Sequence, residues 1–350
     1  MFIKEISLYQ LQEYISKFFS KYSVDFHKSL SAMVLGLLHS SSSSTGEICT
    51  SISRISGKTF KAASKQISYL LSNKKFQIDD MMFRCYMKII FSFLSEGGYI
   101  NKSKRIPIQI DFTTIKDNFI ILYASIVFRG KAVPLYFSMR KYPKKKNSLN
   151  QIKMERAFMV RLRHCLSKEY DYVIVADRGF GNGRIIGYCK EFNFNYVIRL
   201  DANLKIGEKG KNLLNEIKHS KSLENIYVPA WKDSGNIIIR LSSGKLWYLA
   251  TNIDISERRE IITTYRRRFK IEKCFFDQKS NGFNIEKTRI TKYDRVKRLI
   301  FSICIAQALM LFIGDILKHN HHSIKKTFPQ SLALISAFSF LQKESSNITS

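Results

Sequence analysis

The chain has 350 residues, enough to bury a full core and to form two or three domains, and its 45% apolar content excludes a basic, unstructured tail. Charge is the unusual property: 58 Lys and Arg against 28 Asp and Glu leave +30, an excess that favours a polyanionic partner, because phosphates neutralised by a protein release condensed counterions. The six cysteines show no CxxC pair, which argues against a disulfide framework and for free buried thiols in a reducing compartment.

The N-terminal MFIKEISLYQ lacks the apolar segment of a signal peptide. Apolar periodicity predicts helices over Leu8 to Phe19, Leu30 to Leu38 and Met81 to Leu94. Between them the serine run Ser40 to Ser44, with Thr45, reads as a loop and an N-cap for a short helix through Glu47 to Ile52. A second short helix, Phe60 to Leu71, follows a turn containing Gly57 and has Lys58, Lys61 and Lys65 near its start. Such a pair suits a DNA-reading helix-turn-helix, and equally an ordinary helix pair. Residues 1–98 are therefore drawn as a helical DNA-binding domain.

From Asn101 the pattern changes to alternation. IPIQID, FIILYASIVF and AVPLYF, separated by turns at Lys116 to Asn118 and Arg129 to Lys131, predict a three-stranded antiparallel meander. Ile106, Ile108 and Ile110 share one face, and Asp111 is expected to end the first strand. A basic loop, KYPKKKNS, leads to a helix from Gln151 to Ser167 and then to the buried strand Tyr172 to Ala176, closed by Asp177. The bend Arg178 to Gly183 precedes another helix and the strand Tyr196 to Leu200. Meander, helix, strand, helix, strand is the order of a ribonuclease-H-like core, an α/β mixed sheet with flanking helices, whose first part is assigned to 99–200. Each aspartate also has a plainer use, as a turn or cap residue.

Residues 201–250, with a short helical piece near Leu213 to Ile217 and strands around Ile226 to Val228, Ile237 to Leu241 and Trp247 to Ala250, read as a β-rich insertion. The second part of the core, 251–318, holds a helix running from Glu257 into Tyr265 and a long apolar helix, Val296 to Lys318. Its most apolar run, Leu299 to Ile313, falls short of the ~20 residues of a membrane span, so a core helix, no membrane association and a cytoplasmic location are expected. The tail, 319–350, contains His319, His321 and His322, read as polar surface for want of an acidic or cysteine partner, and a helix over Leu332 to Leu341.

The stretch YRRRFKIEKCFFDQK, Tyr265 to Lys279, carries the sharpest pattern. On a helix with Tyr265 at 0°, Arg268, Glu272 and Lys279 fall at about 300°, 340° and 320°, a stripe about 60° wide between apolar flanks. Glu272 is thereby expected to face the protein body. Either it makes an i,i+4 ion pair with Arg268, or it serves as a metal ligand or catalytic acid beside phosphate-binding neighbours. The two roles can alternate.

The spacing Y-x2-R-x3-E-x6-K of Tyr265, Arg268, Glu272 and Lys279 resembles the signature of the insertion sequence four family of bacterial DDE transposases, which carry a β-rich insertion. Asp111 with the following FTT resembles that family's first-aspartate strand, and Ala176 to Phe180, ADRGF, its second-aspartate motif. YVIRL around Arg199, WYLATN from Trp247, Met33 to Leu38 and Tyr69 to Asn73 are similar to family segments in the same order. The resemblance implies a transposase that binds terminal inverted repeats and target DNA as a homodimer in its synaptic complex, at the bacterial nucleoid. It implies that Asp111, Asp177 and Glu272 bind two Mg²⁺ ions, with Mn²⁺ able to substitute, for strand cleavage and strand transfer, with a hairpin intermediate as one route. Tyr265, Arg268 and Lys279 would grip phosphates near a flipped base, joined by Arg199 and Trp247, with Trp231 a rival for the latter. Arg178 would contact phosphate or steady Asp177. A catalytically inactive DNA-binding repressor and a nuclease of the same fold are the competing functions.

Overall fold

The computed structural model describes residues 7–142, 148–210, 212–214, 221–242 and 244–320. Its elements begin with α1 (Leu8–Phe18), α2 (Val24–Ser40), α3 (Thr45–Ser56), α4 (Phe60–Ser72) and α5 (Asp80–Glu96). Strands β1 (Ile106–Ile115), β2 (Phe119–Phe128) and β3 (Lys131–Lys141) follow, then α6 (Ser148–Cys165), β4 (Tyr172–Ala176), α7 (Arg184–Glu191) and β5 (Asn195–Arg199). After the short strands β6 (Lys205–Ile206) and β7 (Asn212–Leu213) come β8 (Ser222–Val228), β9 (Asp233–Ser242) and β10 (Lys245–Thr251). The series closes with α8 (Arg258–Arg266), α9 (Lys270–Phe276) and α10 (Tyr293–Asn320). The described residues fall into two compact units, one within 7–100, 133–135 and 274–320, the other within 101–132 and 136–273.

The first unit is helical. Its helices start where side chains can satisfy the free backbone N–H groups: Ser7 and Gln10 form a capping box on α1, and Ser23, Thr59 and Asp79 cap α2, α4 and α5. Gly57, at φ +67°, ends α3 in the left-handed conformation and makes the short turn into α4. In α10, Phe301 meets Phe19, Phe83 and Tyr86 edge-on, and the Tyr86 hydroxyl donates to the carbonyls of Pro134 and Cys304. By length and composition α10 could cross a membrane, but 78% of that stretch is buried inside the protein, as in a core helix. The six cysteines are free and buried.

The second unit is built on an eight-stranded sheet in the order β3-β2-β1-β4-β5-β10-β9-β8. β1 runs antiparallel to β2 and parallel to β4, β4 parallel to β5, and β10 antiparallel to both β5 and β9. The expected mixed sheet with flanking helices thus appears, built from meander, helix, strand, helix and strand in that order along the chain, and β8 to β10 extend it beyond β5 instead of departing from it. Val173, Val175, Val197, Ile238 and Leu249 form an apolar face onto which α8 lays Ile261, Ile262 and Tyr265.

Three expectations are corrected. Asp111 does not end its strand: β-branched Thr113, Thr114 and Ile115 keep β1 paired with β2 to the hairpin, and only the pairing with β4 stops before Asp111. The helical piece expected from Leu213 begins instead as β7, paired to β6, and residues 215–217 lie outside those described. Tyr265 to Lys279 is not one regular helix: Arg267–Phe269 tighten into a 3-10 turn between α8 and α9, and Asp277–Asn281 form a π turn. No proline or glycine causes the first break. Tertiary contacts hold it, with Tyr265 in the sheet core on one side and Arg268 drawn to Asp111 on the other. Of the three tail histidines, His319 falls in the last turn of α10, while His321, His322 and the Leu332 to Leu341 helix lie outside the described residues, as does most of the KYPKKKNS loop.

Candidate active site

The parallel register pairs Gln109 with Val175, so continuing it by two places sets Asp111 beside Asp177. Side chains alternate along a strand, so both aspartates share the face of Val173 and Val175, the face α8 covers. The segments bearing them are pinned by their own phenylalanines: Phe112 and Phe180 stack with ring centroids 5.3 Å apart and planes 5° from parallel. Asp111 Oδ1 accepts from the Phe112 N–H at 2.8 Å, and Asp177 Oδ1 accepts from the Gly179 N–H at 2.9 Å, capping the turn Arg178–Phe180. The plain role of Asp177 as a cap is therefore real, and its second oxygen is left over for other work.

Arg268 links Asp111 to the third carboxylate. Its Nη1 lies 3.4 Å from Asp111 Oδ2 and its Nη2 donates to Glu272 Oε1 at 2.6 Å. The guanidinium is almost wholly buried, with its Nε lacking a partner among the described residues. Burial, reinforced by the Asp177 carboxylate, pushes Asp111 up to about 6 against the pull of Arg268 and of the Phe112 N–H. Glu272 departs from expectation: its side chain is 55% exposed, and Phe269 and Phe276 beside it are also exposed. The shared face with Tyr265 inferred from a regular helix fails because the 3-10 turn intervenes.

A second cluster adjoins this one. Trp247 on β10 lies against Tyr265 and Phe269, with ring centroids 5.1 and 5.9 Å apart, while Arg199 sits over the Trp247 ring and Arg268 over Phe269. Tyr265 is fully buried, and burial raises its hydroxyl pKa, while the nearby Arg268 and Arg199 guanidinium groups oppose the shift. Trp231, the rival to Trp247, instead packs on Gly183 and donates to the Gly181 carbonyl. Arg178 is exposed. Lys279 belongs to the first unit, on the π turn, 4.0 Å from Glu286. Sequence reasoning passed over Phe112 and Phe180, although a phenylalanine next to one aspartate and another three residues after the other was a visible signal.

The family profile described as "Transposase DDE domain" matches residues 123–309, more than half of the chain. The chain belongs to the DDE transposase family. No curated protein matches the transposase. Among solved structures it is similar to an endonuclease V variant of Ciona intestinalis in complex with a 23mer DNA containing an inosine followed by a ribo-adenosine. That likeness has 12% identity, covers 51% of this chain and 88% of the other, and has a TM-score of 0.32, too low to carry an argument.

The carboxylates of the transposase have the chemistry of a hard-cation site, all oxygen, with two of them in mutual repulsion. Among the described residues no three His, Cys, Asp or Glu side chains are gathered as a ready metal-holding group. Arg268 supplies the positive charge between Asp111 and Glu272.

Proposed function

We propose that this transposase cuts and rejoins DNA through Asp111, Asp177 and Glu272. In this reading residues 99–200 and 251–273 form a ribonuclease-H-like core whose sheet the β-rich insertion 201–250 extends, residues 274–318 pack with the N-terminal helices, and 1–98 is the domain that binds the terminal inverted repeats of its element. The placement of Asp111 beside Asp177 on one sheet face, coupled through Arg268 to Glu272, carries the reading. The donor set fits Mg²⁺, with Mn²⁺ as a substitute, because a divalent cation offsets both the burial and the Asp177 repulsion that push Asp111 up to about 6. Two such ions, when bound, supply an activated hydroxyl nucleophile and charge stabilisation at the leaving oxygen.

The protein's own groups do the positioning. Phe112 and Phe180 fix the two aspartates, and Glu272 approaches from an exposed helix. Arg268, once released from the carboxylates, is free to bind a phosphate oxygen through a charge-assisted hydrogen bond. Trp247 and Phe269 with Arg199 offer a stacking surface for a base turned out of the duplex at the transposon end, backed by the buried Tyr265; Arg178 adds an exposed phosphate contact beside Asp177, and Lys279 offers a separate phosphate contact of its own. A homodimer would hold two ends together in the cytoplasm.

Asp111→Asn and Glu272→Gln are expected to retain binding to terminal-repeat DNA while losing Mg²⁺-dependent nicking. Retained nicking by either variant overturns the assignment. Joined products with a target plasmid separate a transposase from a nuclease of the same fold, and hairpin-sized products on denaturing gels reveal the route of cleavage.

A further inference from the structure

In the first unit, α3, α4 and the segment Arg289–Arg295 enclose an open cleft of about 370 Å³. Three cations, Arg289, Lys292 and Arg295, line it from the segment leading into α10, and Ser64 and Ser68 line it from α4; Phe60, 52% exposed, also lines it. Among the described lining residues there is no Asp or Glu. None of the three cations forms an ion pair among the described residues, and Arg289 and Lys292 are exposed.

The walls are held in place from below. Arg298, buried on α10, donates to the carbonyls of Leu71 at 2.8 Å and Phe76 at 2.5 Å, and Lys297 donates to the Ile78 carbonyl. These bonds tie the first turns of α10 to the end of α4 and the loop beyond it. On α4, Lys61 and Lys65 follow at about 60° and 100° from Ser64, so the positive surface continues past the rim. Small polar side chains on α4 together with guanidinium and ammonium groups that form no ion pair among the described residues, on a surface that stays basic, match a run of phosphates better than one small anion.

We propose that this cleft binds the phosphodiester backbone of duplex DNA, through Arg289, Lys292 and Arg295 on one wall and Ser64 and Ser68 on the other. The inference rests on the reading that the chain acts on DNA, and extends it to a site away from the three carboxylates. Residues from both ends of the chain build it, so the contact is not confined to the N-terminal helices.

The test is binding of the full chain, in EDTA to prevent cleavage, to a fluorescent random-sequence duplex of about 30 base pairs across a salt series. Combined Arg289→Ala, Lys292→Ala and Arg295→Ala should weaken binding on the order of tenfold or more at low salt and reduce the slope of log K against log salt by about 3, near 1 per phosphate contact. Arg289→Lys with Arg295→Lys should keep the slope, because the charge is kept. Ser68→Glu, at an exposed position on the opposite wall, should weaken binding independently, so a folding defect in the triple variant cannot hide the answer. An unchanged affinity and slope in both the triple variant and Ser68→Glu overturns this site alone. A wild-type chain that fails to bind duplex at low salt overturns the DNA-acting reading with it.

Discussion

Asp111→Asn is expected to stabilise the protein at neutral pH in the absence of divalent metal. The carboxyl is only 18% exposed, lies beside Asp177, and is pushed from its ordinary 3.8 to about 6 by burial and that neighbour. A carboxyl raised in the folded state contributes stability that is fully present below its unfolded pKa and lost as pH rises through the folded one. The window is therefore pH 3.8 to about 6. Moving the group across it corresponds to about 3 kcal/mol of destabilisation in the ionised wild type. Asparagine cannot ionise, so the variant should melt at the wild-type temperature near pH 3.5 and up to about 6–12 °C higher at pH 8, taking about 2–4 °C per kcal/mol for a unit of this size. Thermal melts of both proteins in EDTA across this range measure it. A melting difference that is the same at both pH values, or of opposite sign, refutes the electrostatic account. Added Mg²⁺ should then raise the wild type toward the variant, since a ligand stabilises only the form that binds it.

Arg268→Ala should slow processing of transposon ends more than it weakens DNA binding, read by comparing single-turnover cleavage with gel-shift affinity; equal losses would make Arg268 a general tether. Tyr86→Phe removes a buried hydroxyl from two carbonyls and should cost about 1–3 kcal/mol, seen in denaturant melts. At Gly183, φ is +84° and an added Cβ would come within 2.7 Å of the Trp231 ring and 2.8 Å of the Ala230 carbonyl. Gly183→Ala should therefore destabilise by about 1–3 kcal/mol, and an unchanged melting temperature would contradict the packing described.

The sheet was legible because its strands alternate and their turns advertise themselves: Lys116, Asp117, Arg129 and Gly130 all adopt positive φ at the hairpins, where the sequence placed them. The aspartates were legible because each follows an apolar run. The break at Arg267–Phe269 was not, since nothing in the local sequence demands it and the forces that hold it come from β1 and the sheet face. For the same reason the wheel misjudged Glu272. The grouping of α10 with the N-terminal helices was equally hidden, because periodicity reports that a helix has an apolar face and not which distant element covers it. The cleft at Arg289–Arg295 escaped notice because its cations are spaced irregularly.

The covering of α2 by α10 bears on synthesis. α2 buries residues on all sides, from Phe26 to Leu38, and Phe301 of α10 supplies a ring to the cluster around Phe19 and Phe26. While the ribosome is still translating the residues before Tyr293, that surface has no cover, so the N-terminal helices must wait for most of the chain. A product truncated before Tyr293 should accordingly aggregate or bind a chaperone, not persist as a free competitor for the ends of its element. Expression of residues 1–292 as a soluble, cooperatively melting protein would refute this: the helical unit is completed only once α10 has been made.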